Sequence, residues 1–365
     1  MANDTETRWV RGDKAAGLTQ TLEENRTSPQ VNDRAQNPFL DSCFNQEVVT
    51  LFQVMTCIVN PTVASVGLLG NVFSLLILVK NGLRKSSNVF LLALALSDSM
   101  YLLGNVSVLY LLMALGPSKS GGVAYGWMFQ EQVSYVCFLL DRTVLVISSW
   151  GSYVSTTIPV AIMVDRFIAV VFPLQFKNVM TCNRAVIVVV VMFVVWLPWC
   201  LIANTTVVFQ YSILSEDQYF GFYIRSDFFI DNIDIIYLFY TLVLNFISCI
   251  IPVSFTIVGS FIIGVKVKIT MHKRRKISTS RTAGQSRVTR TLMTVSLTFA
   301  AANIAYFVVS YVYTEELMSG TEMTHVVEEF QNLLLLLCSS SNFFIYIVLN
   351  PKFRNDFVKI IVWKL

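Results

Sequence analysis

Five polar residues interrupt or end long apolar runs of this sequence. Asp98 follows Leu-Ala-Leu-Ser, Asn71 follows Leu-Leu-Gly and Asn342 follows three serines. Asp165 and Arg166 close another run as an adjacent carboxylate and guanidinium. A carboxylate among apolar residues must be neutralised, be paired or bind a cation, so Asp98 indicates a functional site. A lone asparagine in such a run more often forms a hydrogen bond between helices.

Seven apolar stretches carry these residues and determine how they are positioned. A helix needs about 20 mostly apolar residues to cross a bilayer, and 55% of the 365 residues are hydrophobic whereas 14% are charged. The two-residue alternation of a membrane barrel is missing. We therefore predict an all-α membrane protein, a seven-transmembrane helix bundle. The expected spans are 50–79, 88–115, 132–164, 184–205, 235–265, 290–314 and 327–349.

Charge alternates between the connecting loops. The segments after the first, fifth and last stretches are rich in Lys and Arg, whereas those after the fourth and sixth are rich in Asp and Glu. Positively charged loops mark the cytoplasmic side. We expect a multi-pass plasma-membrane protein with an extracellular N-terminus and a cytoplasmic C-terminus. Glycosylation motifs fall on the expected outer side at Asn3, Asn25 and Asn204.

Three regions follow from this pattern. Residues 1–47 are polar and without periodicity, which predicts a largely disordered extracellular tail. Residues 48–349 form the membrane domain. Residues 350–365 place their apolar side chains mostly on one helical face, which predicts a short amphipathic helix on membrane lipids.

Two of the seven cysteines fall in extracellular positions, where oxidation can occur. Cys43 and Cys137 either form a bridge between the N-terminal segment and the third helix or remain as two free thiols. The sequence shows no Cys and His cluster with metal-ligand spacing, and no set of a nucleophile and a base, so we expect no enzyme.

Taken in order, the polar motifs resemble the rhodopsin-like (class A) G-protein-coupled receptors over about residues 50–362. The chain is similar to a divergent member of that family, of the kind found among invertebrate peptide receptors. The matching residues fall one set to each expected helix: Asn71, Asp98, Asp165-Arg166-Phe167, Trp196, Pro252, Asn342 to Tyr346, and the segment from Leu349 to Arg354.

The resemblance implies a coupling site for a heterotrimeric G protein. Asp165-Arg166-Phe167 looks like the family's Asp-Arg-Tyr motif, whose arginine is held at rest and contacts the G protein when active. Pro173 and Leu174 match the second intracellular loop, which docks on the G protein, and Tyr346 belongs to the same switch.

The resemblance also implies an allosteric sodium pocket at Asp98, Ser155, Ser339 and Asn342, with Asn71 bracing Asp98. Oxygen ligands around one carboxylate suit a small hard cation. Cys338 replaces a usual polar partner, and a hydrogen-bonded polar cluster without an ion is the alternative. No other cofactor is expected.

Several positions depart from the family pattern. Asn303 stands where the sixth helix usually has its tryptophan, and Ala305 where it has its proline. The usual disulfide cannot form, since residues 206–234 contain no cysteine. We expect a straighter sixth helix, because proline bends helices by removing a backbone hydrogen bond.

The sequence leaves two classes of ligand open. Amine receptors carry an aspartate where this chain has Ser148, and opsins carry a lysine where it has Leu336. Two β-prone runs around 207–225 predict a hairpin, which is typical of the family's peptide receptors. A neuropeptide is favoured over a small chemosensory molecule. A transporter or channel is more remote, because no inverted repeat is apparent.

Other partners follow from the cytoplasmic segments. Serine and threonine residues lie within the basic segment 266–290, and we expect them to be phosphorylated and to bind arrestin through this third intracellular loop. We expect no nucleic-acid partner.

Overall fold

The computed structural model describes residues 46–106, 126–129, 131–215, 218–239, 246–274, 280–313 and 322–362. Within these ranges, seven helices are long and apolar enough to span a membrane. The prediction of a seven-helix bundle is confirmed. The spanning helices, numbered from first to seventh, comprise Asn60–Lys80, Ser86–Asn105, Glu131–Val171, Cys182–Thr205, Ile251–Arg274, Ser280–Val312 and Glu322–Leu349.

Shorter helices complete the described chain. Gln46–Val54 leads into the first spanning helix, and three further segments lie between the spanning helices listed above: Phe176–Val179, Asp227–Asp231 and Ile233–Leu238. The helix Pro351–Val362 follows the seventh spanning helix and is called the C-terminal helix below.

Two spanning helices begin with a wider turn that ends shortly before a proline. A π-helical turn at Met55–Val59 precedes Pro61, and another at Phe246–Ile250 precedes Pro252. Proline has no backbone N–H, so the regular bond pattern is interrupted there and a wider turn can be accommodated. Pro252, expected as a structural residue, is buried at the start of the fifth helix proper.

The third helix runs through the middle of the bundle. It contacts the second, fourth, fifth and sixth helices, and its contact with the second is the most extensive. Gly151 permits this contact, because a Cβ there would lie 2.6 Å from the carbonyl oxygen of Ser97. The fourth helix instead exposes Ile187, Val190 and Val194, as expected of a surface that faces lipid.

Helix boundaries differ from the predicted ones. The second helix ends at Asn105, whereas its predicted span runs to 115 and therefore extends into residues that the structure does not describe. The third helix continues to Val171, beyond the predicted end at 164. That extension keeps Asp165 and Arg166 inside a helix. The domain boundaries at 47 and 349 stay predictions.

The predicted hairpin is confirmed, and a third strand joins it. Strands β2 (Val207–Ser215) and β3 (Gln218–Arg225) pair antiparallel, with an irregularity between Ile213 and Ser215. Strand β1 (Gly126–Phe129), which directly precedes the third helix, pairs antiparallel with β3 and places Trp127 opposite Gly221. Backbone pairing thus connects the segment just before the third helix to the loop 206–234, which has no cysteine for the family's usual disulfide.

The C-terminal helix packs on the first and seventh spanning helices through aromatic rings. The Phe357 ring lies 5.3 Å from that of Phe73 and 5.2 Å from that of Phe343, with edge-to-face geometry. The Phe353 side chain is buried. Asn81 adds a 2.9 Å hydrogen bond to the carboxylate of Asp356. The predicted amphipathic helix is present as Pro351–Val362; its membrane binding stays a prediction.

Candidate functional site

The inner end of the bundle is defined here as the end that carries Arg166. Arg166 and Asp165 are both buried and form an ion pair, in which the guanidinium Nε donates a 2.9 Å hydrogen bond to Oδ2 of Asp165. The hydroxyl of Ser86 donates a 2.6 Å hydrogen bond to the other oxygen, Oδ1. Each carboxylate oxygen of Asp165 therefore has a different partner, and the guanidinium is held by Asp165.

Aromatic rings and an exposed loop surround this ion pair. The Arg166 guanidinium carbon lies 5.9 Å from the centre of the Phe176 ring, a cation–π distance. The Phe167 ring lies 6.5 Å from that of Phe172. Pro173 is exposed, and Leu174 is 93% exposed. The docking role predicted for Pro173 and Leu174 stays a prediction.

Asp98 lies at the centre of a buried polar cluster, defined as Asp98, Ser155, Ser339, Asn342 and Asn71. The Ser155 hydroxyl donates to Oδ1 of Asp98 at 2.5 Å, and Nδ2 of Asn342 donates to Oδ2 at 2.6 Å. The Ser339 hydroxyl lies close enough to the same carboxylate to interact with it. Asn71 braces the cluster from the first helix, through a 3.2 Å bond to the Ser339 carbonyl.

The donor set of this cluster fits a monovalent cation. One carboxylate and two hydroxyl oxygens are hard ligands that suit a small cation. Among the described residues, no group of three His, Cys, Asp or Glu could hold a metal ion. Sodium at Asp98 would be held by Asp98, Ser155 and Ser339, and it would neutralise the buried carboxylate. Its binding stays a prediction.

Tyr346 lies on the seventh helix, one turn after Asn342. Its ring packs 5.4 Å from that of Phe353, and its hydroxyl is buried without a hydrogen-bond partner in the described part of the chain. A buried hydroxyl without a partner costs about 1–3 kcal/mol. A conformation that gives Tyr346 a partner would recover this energy, which suits the predicted switch.

Asn303, at the position of the missing tryptophan, makes a polar contact between two helices. Its Nδ2 donates to the Phe299 carbonyl at 2.8 Å, and its Oδ1 accepts from the Cys249 thiol at 3.1 Å. The Asn303 side chain is buried. The sixth helix is therefore tied to the fifth by a hydrogen bond at this position. The sequence marks Asn303 as a departure but gives no sign of its partner.

A cavity of about 400 Å³ lies toward the opposite, outer end, between the second, third and seventh helices. Its wall includes Tyr101, Asn105, Ser149, Ser152 and Asn332. Tyr101 follows Asp98 by three positions and Ser152 precedes Ser155 by three, so the cavity lies about one helical turn from the polar cluster. Sequence reasoning did not find these residues, because they are scattered over three helices.

A partly buried contact connects the first and seventh helices near the same end. Nδ2 of Asn60 donates to Oε2 of Glu329 at 2.5 Å and to the Glu329 backbone carbonyl at 3.3 Å. Glu329 precedes Asn332 by three residues, so both lie on one face of the seventh helix. Glu329 is close enough to Tyr101 for electrostatic interaction. The outer end therefore carries negative charge beside the cavity.

The geometry agrees with comparisons to known proteins. A family model described as "7 transmembrane receptor (rhodopsin family)" matches residues 70–346. The chain belongs to this family. It is therefore a multi-pass membrane receptor of the G-protein-coupled class and not an enzyme, which confirms two expectations from the sequence.

Two relatives of this rhodopsin-family receptor add detail. A probable G-protein coupled receptor of Caenorhabditis elegans is 28% identical over 149 residues, which cover 40% of this chain and 32% of that protein. The FMRFamide receptor of Drosophila melanogaster is 25% identical over 308 residues, which cover 82% of this chain and 52% of that receptor. The receptor thus spans about half, or less, of the length of these relatives.

Of the remaining predicted site residues of the receptor, some lie in the described part of the chain and others do not. The Trp196 ring is buried and stacks on Tyr153 at 5.0 Å, which joins the third and fourth helices. The backbone of Cys137 lies in the third helix and that of Asn204 near the end of the fourth. Asn3, Asn25 and Cys43 lie outside the described residues, so the disulfide and the glycosylation sites stay predictions.

Proposed function

We propose that this receptor binds an extracellular peptide in its outer cavity and activates a heterotrimeric G protein at its inner end. The observation that carries the proposal is the third helix, which lines the outer cavity with Ser152 and holds Arg166 at the inner end. A ligand that displaces this helix alters both ends together, because a continuous helix transmits movement along its length.

Activation is proposed to release Arg166 from Asp165. The guanidinium is permanently charged and offers five donors, so it can exchange the carboxylate for backbone carbonyls of a G protein. Leu174 and Pro173, both exposed, extend the docking surface. The sixth helix would move outward at its inner end and expose the cleft around Arg166.

Three observations favour a peptide ligand. Strand β2 forms one edge of the three-stranded sheet between the fourth and fifth helices, and such an edge can pair with an extended peptide. The matched Drosophila melanogaster protein is named as an FMRFamide receptor. The outer end carries Glu328 and Glu329, and negative charge there attracts a basic peptide.

A small chemosensory ligand is the second candidate function. A cavity of about 400 Å³ falls in the range that binds small molecules, about 300–1,000 Å³. Cells that express the receptor with a G-protein dissociation sensor should be screened with a library of short peptides and a library of odorants. We expect cells that express the receptor to respond to peptides and cells without the receptor to give no response. Responses to odorants alone would replace the proposal with the second candidate.

Orientation and regulation complete the proposal. The inner end is proposed to face the cytoplasm, with the N-terminus outside the plasma membrane, because Lys and Arg are concentrated in the loops at that end. Antibody labelling of terminal epitopes on intact cells should detect the N-terminal tag alone. Arrestin binding through the third intracellular loop is proposed from its serine and threonine residues, and alanine replacement of these residues should reduce internalisation.

A further inference from the structure

The wall of the outer cavity carries a closed ring of hydrogen bonds. The Tyr101 hydroxyl donates to Oδ1 of Asn332 at 2.5 Å, and Nδ2 of Asn332 donates to Oδ1 of Asn105 at 2.7 Å. Nδ2 of Asn105 returns to the Tyr101 carbonyl at 3.0 Å, and Ser148 donates to the same carbonyl at 3.0 Å. The ring determines which hydrogen-bonding atoms of the Asn105 and Asn332 side chains remain available to a ligand.

The described wall of the cavity is free of charge. Its residues are Tyr, Gly, Asn, Ser, Val and Leu, without an acidic or basic side chain among the ten that line it. A carboxylate placed there would lose its hydration, would gain no cationic partner among the lining residues, and would lie near the negative charge of Glu329. Burying an unpaired charge is costly. The wall therefore selects against the free carboxylate at the C-terminus of a peptide.

The same wall has unused hydrogen-bonding capacity. Within the described residues, the hydroxyls of Ser149 and Ser152 make no hydrogen bond to the protein, although both are half-buried and line the cavity. Each amide nitrogen of the ring uses one of its two N–H donors, so Asn105 and Asn332 each keep one. Donors and acceptors of neutral character thus point to a neutral ligand group that has both.

We propose that the outer cavity binds a primary carboxamide next to an apolar side chain, as at the amidated C-terminus of a peptide. A carboxamide has two N–H donors and one carbonyl acceptor, which match the serine hydroxyls and the free amide N–H groups. Val144, Leu145 and Tyr153 line the cavity beside them and supply the apolar surface. This inference rests on the proposed function and narrows its ligand to C-terminally amidated peptides.

A matched pair of small compounds tests the cavity without requiring a known peptide. N-acetylphenylalaninamide and N-acetylphenylalanine differ only in a carboxamide and a carboxylate. Saturation-transfer NMR on the purified full-length receptor should show binding of the amide, with the acid at least about 30-fold weaker, because one buried unpaired charge separates them. Equal binding of the two compounds, or binding of neither, would overturn the inference.

Variants locate the binding at the proposed wall. Ser152→Ala and Asn332→Leu should each weaken amide binding about five- to tenfold, the loss expected for one hydrogen bond. Thr157→Ala is the matched control, because its hydroxyl bonds carbonyls of its own helix and does not line the cavity. If Thr157→Ala weakened amide binding as much as Ser152→Ala, the assignment to this wall would be wrong.

The outcome of this binding test can be distinguished from the outcome of the ligand screen. A receptor that answers free-acid peptides as well as amides keeps the proposed function and loses this inference. Selective amide binding by a receptor that no peptide activates keeps the carboxamide site and defeats the peptide assignment.

Discussion

Ser86 and Asp165 join the start of the second helix to the inner end of the third by a 2.6 Å hydrogen bond. Both side chains are buried, and the second oxygen of Asp165 holds Arg166. Two residues on different helices, Ser86 and Arg166, therefore share the carboxylate of Asp165. Ser86 could not be singled out from the sequence, because a serine at a helix start is ordinarily a cap.

Removal of this hydroxyl should favour the active state. Ser86→Ala leaves Asp165 with one partner fewer, and a hydrogen bond to a charged group contributes about 1.5–3 kcal/mol. Ligand-independent G-protein activation, normalised to surface expression, should rise about tenfold or more. Ser87→Ala is the matched control, since Ser87 is buried next to it but forms no hydrogen bond with Asp165. Equal basal activity in the two variants would contradict a holding role for Ser86.

Sodium should stabilise the receptor through Asp98. A ligand at a hundred times its dissociation constant adds about 2.7 kcal/mol to the free energy of unfolding. The Tm of purified receptor should therefore rise when choline chloride is replaced by sodium chloride at constant ionic strength. Asp98→Asn should abolish this rise, and Ser155→Ala should reduce it. The same rise in Asp98→Asn would show that sodium acts elsewhere.

The bond between Asn303 and Cys249 should contribute a measurable coupling energy. Hydrogen bonds between membrane helices average about 0.6 kcal/mol in double-mutant cycles. Asn303→Ala, Cys249→Val and the double variant should give a coupling of about that size in thermal or denaturant unfolding. Cys249→Ser keeps a donor and should retain most of the stability. Additive effects of Asn303→Ala and Cys249→Val would exclude the contact.

The pairing of β1 with β3 can be tested by cross-linking. Trp127 and Gly221 lie opposite each other, so Trp127→Cys with Gly221→Cys should form a disulfide readily. Trp127→Cys with Phe222→Cys is shifted by one residue and should cross-link poorly, because successive side chains point to opposite faces. Mass spectrometry of linked peptides distinguishes the two. Preferred linkage of the shifted pair would mean a different register.

The fold could be predicted because the bilayer imposes simple rules. Span length and loop charge give seven helices, and β-prone runs around a polar turn give the hairpin. Strand β1 could not be predicted, because a four-residue segment such as Gly126–Phe129 is too short to show a strand pattern without its partner strand. The polar cluster around Asp98 could be proposed because a mid-span carboxylate is rare.

Contacts between uncharged polar residues could not be predicted in the same way. Tyr101, Asn105 and Asn332 are ordinary at their positions, and they meet only when the second and seventh helices pack together. The same holds for Asn303 and Cys249. Such pairs depend on helix rotation and depth, which the hydrophobic pattern constrains only to within about a turn.

Arg166→Ala tests the central claim most directly, namely that this guanidinium couples the receptor to its G protein. Arg184→Ala is the matched control, because Arg184 is an exposed cation that bonds the carbonyls of Asn178 and Val179, near the inner end of the fourth helix. G-protein dissociation should be measured at equal surface expression of the two variants. The expected result is loss of signalling in Arg166→Ala and retention in Arg184→Ala. Full signalling by Arg166→Ala would contradict the account.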